Sequence, residues 1–217
     1  MTASVVLVTY RRLARLPEIL AAWCAQCNDV WLCDCSKDGA AGIPPAVKVA
    51  RFTPDPGNRT RHAVALMTSG DICIKADDDI LPLPGLVGDF IRWHGKLGPC
   101  ISGVHGRIFR SSDYYDSEMV AAHKQTVPVH VDFVGVLTCS DRRYLPMDLR
   151  ECGTDIEDLW WHSWCYPRAP KYVIPTANYN NLPESRDAER LCANKEGKAR
   201  RRQFFAKCWE THYAKLR

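Results

Sequence analysis

No apolar stretch in this 217-residue chain approaches the roughly 20 residues of a membrane span. The longest early run, Val5-Val6-Leu7-Val8, is too short for the core of a secretory signal, so the expected location is cytoplasmic. Low-complexity linkers and internal repeats are missing as well, which leaves one soluble globular domain with one sizeable core. Charge bias is slight: 29 Lys and Arg against 25 Asp and Glu give a net charge of +4, too little to name a partner. No glycine-rich loop follows the first apolar run. Thr9-Tyr10-Arg11-Arg12 stands there instead, which argues against the triphosphate cradle of a nucleotidyltransferase. Cysteine is plentiful, but eleven thiols scattered through expected strands and helices do not form a disulfide framework. Cys24, Cys27, Cys33 and Cys35 have the ligand number for zinc. Against this, Cys33 and Cys35 flank Asp34 on a strand while the first pair ends a helix.

The pattern along the chain alternates. Ser4 to Thr9 reads as a buried strand, and Leu13, Leu16, Ile19, Leu20 and Trp23 then recur at helical spacing. Val30 to Cys33 and Val47 to Phe52 are further strands. A turn-rich loop, Thr53 to Asn58, leads into a helix carrying Ala63, Val64 and Leu66, which stops at Ser69-Gly70. Ile72 to Ala76 is a fourth strand. Strands alternating with helices imply a mostly parallel, Rossmann-like sheet with helices on both faces. Pro82 to Leu97 looks helical. Beyond Gly98-Pro99 the pattern becomes mixed: strands at Cys100 to Val104, Gly106 to Phe109 and Val127 to Thr138, with a long polar connection from Ser111 to Lys124. Thr154 to Cys165 reads as a helix, Lys171 to Ile174 as a strand, and Pro183 onward as mostly helical.

Three consecutive acids, Asp77-Asp78-Asp79, sit where the fourth strand would leave its sheet. Open α/β sheets bind ligands at that edge. In extended chain Asp77 and Asp79 project together and Asp78 points away. Two adjacent carboxylates repel unless a cation joins them, and Mg²⁺ or Mn²⁺ suits all-oxygen ligands and bridges them to phosphates. Taken alone, the triplet also describes a solvated acidic turn.

These segments, in this order, resemble the metal-dependent glycosyltransferases of GT-A fold, family 2 in particular, in a small bacterial or phage form. Val5 to Arg12 resembles that family's first strand and its "TYNR" turn, with Arg11 where Asn is usual. Val30 to Gly39 is similar to its "VVDNGSTDG" segment, with Asp34, Ser36 and Asp38 in place. Asn58 through Gly70 resembles the stretch before its "GDYI", and the triplet takes the place of "DDD" or "DxD". The likeness is close over the first half and looser over the second.

The resemblance implies roles. Thr9, Tyr10, Arg12 and Asp34 would hold the base and ribose of a nucleotide, because a carboxylate accepts from base N–H and ribose hydroxyls. Asn58, Arg59 and Arg61 would reach phosphate or sugar hydroxyls, with Asp77 and Asp78 also facing the donor. Mn²⁺ or Mg²⁺ would sit on Asp77 and Asp79, with His162 completing its shell. Gly153 to Trp161 looks like the family's "ED" segment, where the second acid is the usual base of inverting enzymes. Asp158 is the expected base and Asp155, three residues away on the same helical face, the second candidate. His105 or Arg107 would face the donor, and Gly135 would let the sugar approach the backbone. The implied division is a nucleotide-sugar-binding half, 1–98, an acceptor half, 99–183, and a basic helical tail, 184–217.

In that tail Lys195, Lys198, Arg200, Arg201, Arg202, Lys207, Lys215 and Arg217 outnumber Glu196 and Glu210, while Phe205, Cys208, Trp209, His212 and Tyr213 fall at helical spacing. The aromatic stripe is expected to dock and the charges to face water, or else to meet an anionic membrane or nucleic acid. The function expected is inverting transfer from a nucleotide-diphosphate sugar, commonly a UDP-sugar, to a glycan, lipid-linked sugar, protein or modified DNA base. The alternatives are a nucleic-acid-directed form that glycosylates modified bases and a non-catalytic nucleotide- or nucleic-acid-binding module.

Overall fold

The computed structural model describes residues 1–10, 14–57, 59–150, 152, 156–182 and 195–213. Successive β-branched and leucine residues buried on both sides place β1 (Ala3–Thr9) at the middle of a parallel layer. It pairs in parallel with β2 (Val30–Asp34) and β4 (Ile72–Asp77), and β2 pairs in parallel with β3 (Lys48–Arg51). The register sets Thr9 opposite Asp34 and Val8 opposite Asp77, so the three carboxyl ends share one edge. On one face α1 (Leu16–Cys24) inserts Leu16, Ile19, Leu20 and Trp23 against Val5, Leu7, Leu32 and Ile74. Pro17 lies in its first turn, where a missing N–H breaks no helical bond. On the other face α2 (Thr60–Ala65) packs Val64 and Ala65 on Val6, Val8, Cys33 and Cys73.

The second half continues this sheet and is its mixed part. β9 (Phe133–Asp141) pairs antiparallel with β4 and with β6 (Ile101–Phe109). Beyond β6 come β7 (Ser117–Ala121), antiparallel, and β10 (Lys171–Val173), parallel, with β8 (Val129–His130) at the far edge. The order is β3-β2-β1-β4-β9-β6-β10-β8, with β7 attached to β6. The long polar connection expected from Ser111 to Lys124 thus contains β7. Its Ser-Glu-Met-Val-Ala sequence is mostly surface-facing, which leaves little apolar alternation to read.

Two features open the sheet at the acidic edge. β9 pairs with β4 only as far as Thr138 opposite Lys75, and the β6–β9 ladder slips between Gly103 and His105. At the slip Val136 has φ 67°. A β-branched residue in that left-handed region costs on the order of 1–3 kcal/mol and occurs where surrounding structure enforces it. Beyond the triplet, β5 (Ile80–Pro82) forms a separate two-stranded ribbon with β11 (Tyr179–Asn181). The following helix, α3 (Leu86–Leu97), therefore starts four residues later than its apolar pattern indicates, after Gly85 at φ 94°.

The helix expected over Thr154 to Cys165 is shorter. α4 (Glu157–Trp160) widens at once into a π-type turn, Trp161–Cys165. α5 (Lys195–Cys208) carries the basic tail and runs into a second such turn, Trp209–Tyr213. The expected helical stretch 183–194 lies outside the described residues. Among the described residues no helix is long and apolar enough to cross a membrane.

Candidate active site

The carboxyl edge of β1, β2 and β4 gathers the first candidates. Thr9 Oγ1 donates to Asp78 Oδ2 at 2.9 Å, which ties the middle acid of the triplet back to β1. Asp79 is buried on the turn into β5, where its carbonyl accepts from Leu182 N at 2.8 Å. Tyr10 stands at the same edge with 45% of its surface exposed. Arg59, half-buried at the start of α2, has no ion pair among the described residues. Arg12, Asn58 and Asp155 lie outside the described residues.

Asp34 is a scaffold acid. Its Oδ1 accepts from Ser36 N at 3.1 Å and Ser36 Oγ at 2.5 Å, its Oδ2 accepts from Ala40 N at 2.9 Å, and Arg51 Nε lies 3.4 Å away. Burial pushes its carboxyl up, but these donors outweigh it and leave the group below the ordinary carboxylate value. Through these bonds Asp34 shapes the loop from Ser36 to Ala40.

Below this edge, between α2, β4 and α4, lies a buried charged cluster. Arg61 Nη2 is 2.9 Å from Asp77 Oδ1, and its Nε is 3.7 Å from Glu157 Oε1. His62 Nε2 sits 2.5 Å from the same Glu157 oxygen. Burial works against the Arg61 charge, but Glu157, Asp77 and Asp158 raise its proton affinity and keep it cationic. Burial likewise favours the neutral acid at Glu157, yet Arg61, His62 and Lys75 hold its carboxyl down at about 2. Arg61, expected to meet the donor, joins the acidic strand end to α4. Glu157 is the acid that sequence reasoning passed over. Its spacing matched the "ED" pattern, but nothing local marks the first acid as the buried one.

Lys75 is fully buried with its Nζ 3.1 Å from the centre of the Trp161 ring and, among the described residues, without a hydrogen-bond partner. Burial lowers its pKa to about 7 from an ordinary 10.5. Between those values the folded chain has released a proton that the unfolded chain keeps, so stability rises with pH across that window. Lys75→Met is expected to stabilise the protein by about 1–4 kcal/mol at pH 7 and to remove that rise. Urea midpoints at pH 7 and pH 10 check it; an unchanged midpoint difference would show that Lys75 is not the source.

Asp158 stands at the rim of the cluster, and its side chain remains partly exposed. Its Oδ1 accepts from Leu159 N at 2.8 Å. Arg201 Nη2, reaching in from α5, is 2.7 Å from Oδ1 and 2.9 Å from Oδ2. Elsewhere along the opening, His105 Nε2 lies 3.2 Å from the Tyr179 hydroxyl and Val136 is 39% exposed. Arg107 donates to Ser117 Oγ at 2.8 Å and lies over the Tyr114 ring.

His162, expected to complete the metal shell, has apolar and cationic surroundings. It is fully buried against the Phe133 and Trp161 rings, and the charges around it are Lys171, Lys75 and His62. Lysine cations beside an apolar pocket oppose a further positive ion. The four cysteines are separated as well. Cys27 packs in the α1-side core with Cys24 against it, whereas Cys33 and Cys35 face α2 across the sheet. Burial raises the thiol pKa of each, with Cys35 reaching about 12, opposite to the thiolates zinc requires.

Among the described residues no group of three or more His, Cys, Asp or Glu side chains converges as an all-protein metal cage would. Mg²⁺ and Mn²⁺ do not need one. They bind through one or two carboxylates and complete their shell with water and substrate phosphates. Asp77 keeps one carboxylate oxygen that Arg61 does not take, which suits such an open, all-oxygen arrangement. Two hollows elsewhere, of about 380 Å³ beside Lys171 and about 450 Å³ beside Trp93, are lined by neither the triplet nor α4.

No protein-family profile and no curated protein matches the sequence. Solved structures do. S. aureus TarS 1-349 in complex with UDP-GlcNAc is 15% identical, with a TM-score of 0.60 over 89% of this chain and 61% of that one. TarS 1-349 alone gives 17% and 0.56 over 84% and 60%. A197 from STIV is 16% identical, with a TM-score of 0.47 over 81% and 82%. The chain thus spans about three-fifths of the TarS fragment, and the two TarS likenesses show a shared GT-A-like fold.

Proposed function

We propose that this protein transfers a sugar from a nucleoside-diphosphate donor to an acceptor hydroxyl, in the opening between the carboxyl edge of β1, β2 and β4 and the helix α4. The observation that carries this reading is the Arg61 clamp. One buried guanidinium holds the last residue of β4 and the first of α4, so the acids suited to a diphosphate and the acid suited to an acceptor form one rigid unit. The TarS complex with UDP-GlcNAc, which shares the fold, supports a UDP-sugar as donor.

In this reading the loop held by Asp34 receives the base, and Arg59 meets the diphosphate. Mn²⁺ or Mg²⁺ on Asp79 and Asp77 would neutralise charge on the departing diphosphate. Asp158 Oδ2 takes the proton from the acceptor hydroxyl. The acceptor oxygen bonds to the anomeric carbon from the face opposite the diphosphate, the carbon–oxygen bond to the diphosphate breaks, and the nucleoside diphosphate leaves with inversion.

A thermal-shift panel of UDP, GDP, TDP and CDP, each with and without Mn²⁺, tests the donor side. A ligand at a hundred times its Kd adds about 2.7 kcal/mol, equivalent for a chain of this size to roughly 5–10 °C in Tm. That rise is expected for UDP with Mn²⁺. A flat response to all four nucleotides overturns the proposal and brings nucleic-acid binding forward.

A further inference from the structure

The C-terminal helix was expected to turn its basic residues to water. Arg201 does the opposite. It lies on the same face of α5 as Phe205 and Cys208, four and seven residues on, and is itself buried, 7% exposed. Phe205, Cys208 and Tyr213 pack with Phe109, Tyr114, Phe133 and Leu159, which anchors α5 to β6, β9 and α4. The Arg201 guanidinium lies over the Tyr114 ring at 5.4 Å, and its Nη1 reaches the Tyr114 hydroxyl at 3.4 Å. Its other terminal nitrogen straddles the two oxygens of Asp158.

We infer that Arg201 is the positioning residue for the proposed base, and that α5 is a wall of the active site. The inference rests on the reading of Asp158 as that base. The geometry separates holding from blocking. Asp158 Oδ1 is filled by Leu159 N and Arg201, whereas Oδ2 accepts from Arg201 alone among the described residues. A carboxylate oxygen has two lone pairs. Oδ2 therefore keeps one for the acceptor hydroxyl while the guanidinium fixes the plane of the group. A carboxylate on so short a helix, with only one backbone bond to orient it, would otherwise rotate about χ2, a broad torsion. A misplacement of about 1 Å at the base can cost about 10²-fold in turnover.

The test uses the full chain and needs no known acceptor, because water can take the acceptor's place and release UDP from a UDP-sugar such as UDP-GlcNAc. Arg201→Gln is expected to lower kcat for UDP release about 10²-fold with the donor KM within about twofold. Arg201→Lys should recover part of the loss, and free guanidinium ion should restore turnover to Arg201→Ala. These rescues do not occur if the residue merely stabilises the fold. If Arg201→Gln melts early, Arg201→Lys and the guanidinium rescue still decide. Full turnover in Arg201→Gln alongside an inactive Asp158→Asn overturns the positioning role and leaves the transferase reading standing. A loss that guanidinium and lysine fail to restore, or one shared by donor KM, overturns it too. Wild-type chain that releases no UDP from any UDP-sugar removes the transferase reading, and this inference with it.

Discussion

Asp158→Asn is expected to lower sugar transfer by about 10²–10⁴-fold while leaving the UDP-induced rise in Tm unchanged. The amide is close to isosteric and keeps an oxygen to accept from Leu159 N, so the start of α4 is preserved. What it loses is the ability to take a proton from the attacking hydroxyl, together with the second oxygen that Arg201 holds. In the proposed reading nucleotide binding draws on the β1, β2 and β4 edge, which this substitution does not touch. Full transfer by the variant would sink the assignment of Asp158 as base. Parallel loss of UDP binding would mean that the residue shapes the donor site instead.

The second large effect is on stability. Arg61→Met is expected to cost about 3–5 kcal/mol, because it leaves Glu157 buried with its main cation gone. Asp77, more exposed, is less affected. A urea midpoint lowered at constant m-value is the predicted signature. Glu157 also predicts the acid limb. Its folded value of about 2 lies below the ordinary 4.5, so the folded state binds fewer protons between these values. Its contribution is fully present above pH 4.5 and is lost as pH falls toward 2. Glu157→Gln should flatten that limb. A wild-type chain whose stability is constant from pH 4.5 to 2 would mean that the Arg61–Glu157–His62 cluster is not coupled to folding.

Much of the carboxyl edge of the sheet was readable in the chain. Parallel strands announce themselves as continuous apolar runs, and acids placed where such runs end must lie along one edge of the sheet. Thr9, Asp34 and Asp77 to Asp79 meet that expectation because strand register leaves them nowhere else to go. Asp158 was legible as a member of an acidic helix start. The ribbon of β5 with β11 was not, since its pairing joins residues about a hundred positions apart and each half is only three residues long.

What remained hidden was the division of labour among like residues. Asp34 and Asp77 are both acids at strand ends, yet one is buried and held by Ser36, Ala40 and Arg51 while the other meets Arg61 through one oxygen and stays partly exposed. Arg59 and Arg61 are two residues apart, but only Arg61 is turned inward onto Asp77 and Glu157. His162, a plausible ligand on paper, is packed among rings and lysines. Arg201 belongs to a basic run and nevertheless lies on its helix's apolar face. Residue type and spacing settle which side chains share a strand edge or a helix face, because those depend on local geometry. Whether a charge is spent on structure or left for chemistry depends on which distant partner fills its lone pairs and how much water the packing removes, and those are properties of the assembled fold.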